Sequence, residues 1–332
     1  MPRRSRAKRR ALPWIALLLS VVATAWLIIA RREDLSALRQ VSLVSILVLT
    51  LLQIAFIVVQ SGRYHAVIVK CAETRVPFFA WLRLFLIAQV LNLFVPQAGN
   101  VYRGFELKRA FGVSLTRYVA AYVNAPWIAM VLYFTLGAAV VGVIGQDIVI
   151  AGLPLAVLLG VAAIVMAVAP FAGRAMLMVL PQRYRPIAWL RRRLGEVLSV
   201  TMTSVRDPAY VSRMLLWTLA SFVLGVALFW VGFGAVRIEV GLAPVVAYFV
   251  VLQLTTFVMI TPGNLGVREL AFGVLAASLG AAVFEGVLVS ALLRATKYIA
   301  LLAFSLPMGG VQAIRAARRT VDDAAVQEPV EP

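Results

Sequence analysis

Runs of about twenty or more apolar residues recur through this chain of 332 residues. A helix needs about 20 consecutive apolar residues to cross the hydrocarbon core of a bilayer. Hydrophobic residues make up 62% of the chain and charged residues 14%, whereas a soluble domain is about half apolar and about a quarter charged. The short alternating strands of a transmembrane barrel are not visible in the sequence. We therefore expect an all-α polytopic membrane protein.

The apolar runs predict six full spans and two shorter apolar helices. The full spans are expected at residues 12–30, 41–60, 118–144, 148–172, 213–235 and 284–308. The shorter segments, 78–95 and 245–261, each run into a motif that contains proline and glycine. We expect residues 12–310 to form a single transmembrane domain, with a basic tail at 1–11 and a disordered tail at 311–332.

The positive charge of the chain predicts its orientation. A formal net charge of +18 would suggest nucleic-acid binding in a soluble protein. Here the basic residues lie mainly between apolar spans, as in cytoplasmic loops that face anionic headgroups. They include the loop after the second span, with Arg63, Lys70 and Arg75. We expect a bacterial inner-membrane protein with both termini in the cytoplasm, and a first span retained as a signal anchor because no small-residue cleavage site follows it.

One basic segment conflicts with a simple alternation of spans. Residues 101–117 are rich in arginine and lysine, and they would lie outside if 78–95 crossed the membrane completely. A re-entrant hairpin resolves the conflict, since the chain then turns at "PQAGN" and returns to the cytoplasmic side. By the same logic, 245–261 enters from outside, turns at "TPGN", and 267–281 returns outward. Eight simple spans remain the alternative.

The two turns carry the same pattern of residues. Each has an apolar helix, a proline, a turn of small residues, an arginine six or seven residues after the proline, a nearby glutamate and a following long span. The matching residues are Pro96, Arg103 and Glu106 in the first copy and Pro262, Arg268 and Glu269 in the second. We interpret the regions near 78–144 and 245–308 as an inverted repeat, which is typical of secondary transporters with broken helices near the bilayer midplane.

A broken helix near the midplane favours an anionic substrate. Its new N-terminus exposes backbone N–H groups and the positive end of a dipole. An arginine at that depth costs at least ~2.5 kcal/mol on insertion scales and so needs a partner or a function. We therefore predict one shared cavity beside the two turns. Its predicted substrate-binding residues are Asn100, Arg103, Glu106, Pro262, Gly263, Asn264, Arg268, Glu269, Arg294 and Lys297.

These residues also have plainer interpretations. In one interpretation, Arg268 and Glu269 each pair with a group on the other hairpin. In another, Arg103 extends to the cytoplasmic interface. Arg294 and Lys297, three apart on one helical face, either snorkel or face a polar cavity. The two glutamates, Glu106 and Glu269, are candidate proton carriers for coupled transport. Four glutamines in the apolar runs are expected to form hydrogen bonds between helices; they are Gln53, Gln60, Gln89 and Gln253.

The segment 173–212 is predicted to lie on the cytoplasmic face. It contains "RPIAWLRRRLGEVLSV", in which apolar residues recur at helical spacing around three consecutive arginines, Arg191, Arg192 and Arg193. Such a helix favours the headgroup plane of an anionic bilayer. A solvated linker helix is the alternative.

The sequence holds few residues suited to catalysis or to metal binding. It has one cysteine, Cys71, and one histidine, His65, which are expected to be ordinary packing residues rather than parts of a metal site. No Ser-His-Asp set, metal cluster or P-loop is visible. We predict no cofactor and favour a transporter over an enzyme.

The two motifs resemble the lysylphosphatidylglycerol synthase transmembrane-region family, also called flippase-like domain proteins. The resemblance covers about residues 10–315 and is carried by "NLFVPQAGNVYRGFELKRAFGVS" and, more specifically, by "TPGNLGVRELAFGV". It implies a lipid-translocating membrane domain. Many members have Gly-Glu before the first arginine, where this chain has "GNVYR", and a Glu-Arg pair in the next span, where it has "VNAPW". The first half of the site is therefore expected to be altered.

Three functions are compatible with these features. The first is a flippase for an anionic phospholipid or a polyprenyl-phosphate-linked glycan. The second is a membrane-embedded glycosyl or acyl transferase that uses Glu106 or Glu269 as base. The third is a non-transporting scaffold for envelope-biosynthesis enzymes. We expect no aminoacyl-lipid synthase activity, because the tail after residue 310 is too short to hold an aminoacyl-tRNA, and we expect no nucleic-acid partner.

Overall fold

The structure of the chain is a computed structural model. It describes residues 41–72, 74–95, 97–145, 148–150, 152–179, 185–255, 267–279 and 282–308. The predicted first span, Pro96 and the second turn, with Pro262, Gly263 and Asn264, lie outside the described residues.

Ten helices and one two-stranded hairpin make up the described part of the chain. In order they are α1 Leu43–Ala72, α2 Phe78–Phe94, α3 Ala98–Phe111, α4 Leu115–Ile144, β1 Val149–Ile150, β2 Leu153–Pro154, α5 Leu155–Val179, α6 Arg185–Val205, α7 Pro208–Ala235, α8 Leu242–Thr255, α9 Val267–Ser278 and α10 Val283–Ser305. The strands β1 and β2 pair antiparallel.

Five of these helices, α1, α4, α5, α7 and α10, are long and apolar enough to cross a membrane. Many of their large apolar side chains are exposed, as expected for surfaces that face lipid rather than water. The prediction of an all-α multi-pass membrane protein is confirmed at this level.

Two predicted boundaries differ from the structure. Helix α1 continues to Ala72, twelve residues beyond the predicted end of the second span at residue 60, so Arg63 and Lys70 lie in a helix and not in a loop. The continuation is stable because one face of residues 61–72 is buried against neighbouring helices. The predicted span 148–172 begins instead with the β hairpin, and its helix starts at Leu155.

Helices α2 and α3 are too short for a perpendicular crossing. They have 17 and 14 residues. At 1.5 Å per residue even the longer one spans only about 25 Å, against a hydrocarbon core of about 30 Å. Helices α8 and α9 are described over 14 and 12 residues, on either side of residues 256–266, which lie outside the described ranges.

The turn between α2 and α3 is tight. Gln97 has a left-handed backbone conformation, with φ of 66°. The Gly99 N–H donates to Asn92 Oδ1 at 2.8 Å, and a Cβ added at Gly99 would lie 1.8 Å from the Ala88 carbonyl oxygen. Helix α3 therefore begins against the backbone of α2, and only glycine fits at this contact.

Two clusters of buried side chains form the core. One contains Leu49 of α1 and Leu293 of α10; the other contains Val67 of α1 and Leu301 of α10. The N-terminal halves of α1 and α10 thus share one cluster and their C-terminal halves share the other. These two central helices run parallel.

Candidate functional site

A cavity of about 260 Å³ lies among the helices, with walls from α1, α2, α4, α7, α8, α9 and α10. Four cationic side chains line it: Arg63, Arg268, Arg294 and Lys297. Six carboxamide side chains also line it: Gln53, Gln60, Gln89, Asn92, Gln97 and Gln253. The rest of the lining is largely aromatic and aliphatic, so a polar centre adjoins apolar walls.

Arg268 lies in the first turn of α9, directly after the predicted broken turn. Its guanidinium carbon is 5.6 Å from the centroid of the Phe272 ring, and its Nε is buried without a hydrogen-bond partner. Within the described ranges no carboxylate lies within ion-pair distance of it. Arg268 thus lies at the cavity wall, and its Nε–H donates to none of the described protein atoms.

Arg294 and Lys297 lie three residues apart on α10, on one helical face. The Arg294 Nη2 lies 2.6 Å from Glu269 Oε1, and both side chains are buried. Lys297 has no ion-pair partner among the carboxylates that the structure describes. Together with Arg268 these two residues form a cationic cluster at one level of the cavity.

Arg63 is a cavity residue that the sequence patterns did not indicate. It is 3% exposed, and it donates to the Tyr133 hydroxyl at 2.6 Å and to Gln60 Oε1 at 2.9 Å. Its guanidinium carbon lies 5.5 Å from the Tyr64 ring centroid, and its Nε has no partner. The spacing of Gln53, Gln60 and Arg63, seven and three residues apart, puts them on one face and is the signal that would have identified it.

Arg103 occupies a different environment from the predicted one. Its guanidinium carbon lies 5.3 to 5.9 Å from the centroids of five aromatic rings, those of Tyr64, Trp81, Phe85, Tyr118 and Tyr122. It donates to the Tyr118 hydroxyl at 3.1 Å and to Asn100 Oδ1 at 3.0 Å. Neither Arg103 nor Asn100 lines the central cavity. This cage packs α3 against α1, α2 and α4, and two of its rings, those of Tyr64 and Phe85, also line the cavity.

The other predicted residues are spread more widely. Glu106 accepts from Arg109 at 3.0 Å at the surface of α3, away from the cavity lining. Glu269 lies beside the cavity through its ion pair with Arg294. Pro262, Gly263 and Asn264 lie outside the described residues. Arg268, Arg294 and Lys297 thus line the cavity and Glu269 is bound to Arg294, whereas Arg103, Asn100 and Glu106 are not among the lining residues.

The charge of this site suits an anion. Four cations line the cavity, and one carboxylate among the described residues is ion-paired with them. Guanidinium groups bind phosphate oxygens in pairs, and carboxamides donate to and accept from oxygen. No group of three potential metal-ligating side chains occurs within the described ranges. The arrangement is able to hold a phosphate against apolar walls.

One protein-family model, described as the lysylphosphatidylglycerol synthase TM region, matches the chain over residues 14–305. No curated protein and no solved structure matches the chain.

Proposed function

The chain belongs to the lysylphosphatidylglycerol synthase TM region family, and from this membership we propose that it is a flippase. Its substrate is an anionic phospholipid or a polyprenyl-phosphate-linked glycan, which it moves between the leaflets of the bacterial inner membrane. The family and the apolar helices make it a multi-pass membrane protein with a lipid-related function; transport of the lipid is the proposed step.

The observation that carries the proposal is the cationic cavity. Arginine in a membrane-embedded region is costly unless it is paired or functional, and Arg268 lines the cavity without a described carboxylate partner. A lipid phosphate supplies the missing negative charge. The aromatic and aliphatic walls accommodate the start of the acyl or prenyl chains.

The short helices support a transporter architecture. We assign the pairs α2–α3 and α8–α9 to the predicted re-entrant hairpins, and the short lengths of α2 and α3 favour partial penetration of the bilayer by the first pair. We propose six full spans, with the first at 12–30, two hairpins related as inverted repeats and both termini in the cytoplasm. Transporters of this kind bind substrate where the repeats meet.

The transferase alternative requires a free base. Glu269, the carboxylate beside the cavity, lies 2.6 Å from Arg294, so its Oε1 is already engaged by a guanidinium. Glu106 is paired with Arg109 at the surface. These contacts favour transport over group transfer.

A liposome assay tests the proposal. Full-length protein is reconstituted into phosphatidylcholine vesicles that contain a trace of fluorescent phosphatidylglycerol or fluorescent polyprenyl phosphate, and an impermeant reductant bleaches the outer leaflet. We expect the protein to expose the inner-leaflet label to bleaching, and Arg268→Ala to slow this at least about tenfold, which corresponds to about 1.4 kcal/mol.

The matched control is Arg213→Ala, because Arg213 is an exposed arginine on α7 and does not line the cavity. This variant is expected to transport like the wild type. No accelerated movement of either lipid, or equal rates for Arg268→Ala and the wild type, would refute the proposal. Appearance of a new lipid product during the assay would support a transferase instead.

A further inference from the structure

Arg63 and the cationic cluster of Arg268, Arg294 and Lys297 line the same cavity at different levels. The Gln53 Nε2 donates to the Leu293 carbonyl at 3.1 Å, which places these two residues at about the same height on the parallel helices α1 and α10. At 1.5 Å per residue, Arg63 lies roughly 15 Å further along α1 and Lys297 roughly 6 Å further along α10. Their backbones are therefore offset along the bundle by roughly 9 Å.

Contacts within the protein hold Arg63 and Arg294 at different heights along the bundle. The Arg63 guanidinium is fixed by the Tyr133 hydroxyl and by Gln60, so it does not extend freely toward α10. Arg294 is fixed on its side by Glu269. One phosphate bound to the cluster therefore leaves Arg63 without an anionic partner.

Arg63 nevertheless retains the features of an anion contact. It is 3% exposed, its Nε has no hydrogen-bond partner, and it lines the cavity. No carboxylate lies within ion-pair distance of it among the residues described. A buried guanidinium of this kind is stabilised when an anion reaches it.

We propose that the cavity binds a lipid headgroup with two anionic groups, such as a diphosphate. One group contacts the cluster of Arg268, Arg294 and Lys297, and the second contacts Arg63. This inference rests on the proposed function and specifies the substrate class of the same site. It also disfavours a headgroup with an added ammonium group, because the carboxylate described beside the cavity, Glu269, is already bound to Arg294.

Two ligands with the same tail test the inference. Farnesyl monophosphate and farnesyl diphosphate differ by one phosphate, and their dissociation constants are measured for the full-length protein in nanodiscs of zwitterionic lipid. We expect the diphosphate to bind at least about tenfold more tightly than the monophosphate, in line with a second charge-assisted contact.

Three variants assign that preference to residues. Arg63→Gln removes the second cation, so the preference is expected to fall to within about twofold, chiefly through weaker binding of the diphosphate. Arg63→Lys keeps the charge but not the planar guanidinium, so it is expected to retain part of the preference for the diphosphate. If Arg63→Gln fails to fold, the comparison of Arg63→Lys with the wild type replaces it. Lys297→Met is expected to weaken the binding of both ligands.

The outcomes separate this inference from the proposed function. Equal affinity for the two ligands, or an unchanged preference in Arg63→Gln, overturns the two-anion headgroup while transport of anionic lipid in vesicles stands. Binding of neither ligand together with no transport in vesicles overturns the proposed function, and the inference with it. A diphosphate preference that depends on Arg63 supports both.

Discussion

Glu269 Oε1 and Arg294 Nη2 lie 2.6 Å apart and join the first turn of α9 to the middle of α10. Both side chains are buried, at 6% and 8% exposure. Glu269 follows Arg268 directly in the sequence, so the ion pair also fixes the turn of α9 that presents Arg268 to the cavity. The pair therefore has a structural role in positioning the site.

Breaking this pair on one side is expected to destabilise the protein. Glu269→Gln removes the negative charge of this buried pair, and removing one partner of a buried ion pair costs about 3–5 kcal/mol. The double variant Glu269→Gln/Arg294→Gln removes both charges and is expected to lose less stability than Glu269→Gln alone. Thermal unfolding in detergent, followed by tryptophan fluorescence, measures both. A double variant less stable than the single variant would contradict this role.

Lysine is expected to replace Arg268 poorly. Arg268→Lys keeps the positive charge but loses the planar fork that binds two phosphate oxygens. We expect the transport rate in vesicles to lie between those of the wild type and Arg268→Ala, and closer to that of Arg268→Ala. Unfolding temperatures of the three proteins control for structural damage. Wild-type transport by Arg268→Lys would mean that charge alone suffices at this position.

The cationic cavity is partly predictable from the sequence. Proline, glycine and charge together inside an apolar run indicate Arg268, and the three-residue spacing of Arg294 and Lys297 indicates a common face. These three residues line one cavity. Local signals suffice here because the proline and glycine motif and the helical spacing are both short-range sequence features.

The partners of Arg63 and Arg103 cannot be predicted from such local sequence signals. A charge normally marks the end of a span, so the sequence pattern places Arg63 in a loop, whereas Tyr133, seventy residues later in the chain, supplies its hydrogen-bond partner. The rings around Arg103 come from α1, α2 and α4. No local pattern encodes partners that only the packing of distant helices brings together.

The cage around Arg103 predicts a structural phenotype. Arg103→Lys loses the hydrogen bonds that the fork makes to Tyr118 and Asn100, and each such bond from a charged donor contributes about 1.5–3 kcal/mol. We expect a lower unfolding temperature with unchanged affinity for farnesyl monophosphate. A weaker affinity at unchanged stability would instead make Arg103 a ligand contact.

The close approach of the α2 backbone to Gly99 predicts that any larger residue at position 99 destabilises the protein. A Cβ there would lie 1.8 Å from the Ala88 carbonyl oxygen, so Gly99→Ala must push α3 away from α2, and overpacking of this kind costs about 1–3 kcal/mol. The control is Gly160→Ala on α5, where no atom lies within 4 Å of the added Cβ. That variant is expected to be neutral or slightly stabilising. Equal unfolding temperatures for the two variants would contradict the tight hairpin.

Asp207 is expected to make the stability of the α1–α7 contact depend on pH. It caps α7 by accepting from the Ala209 and Tyr210 N–H groups, and its hydrogen bond from Lys70, together with these caps, lowers its pKa below the ordinary value of 3.8. A lowered carboxyl pKa means that the stabilisation is fully present above the ordinary value and is lost as the pH falls through the lowered one.

Two variants of Asp207 separate the cap from the charge. Asp207→Asn keeps a good N-cap but loses the ion pair with Lys70, whereas Asp207→Ala loses both. At neutral pH we expect unfolding temperatures in the order wild type, Asp207→Asn, Asp207→Ala, with the first two converging below the lowered pKa because the wild-type carboxylate is then protonated. Lys70→Met in the wild-type background should reproduce the loss of the charge contribution at neutral pH. A gap between wild type and Asp207→Asn that persists unchanged in acid would show that the carboxylate charge is not its source.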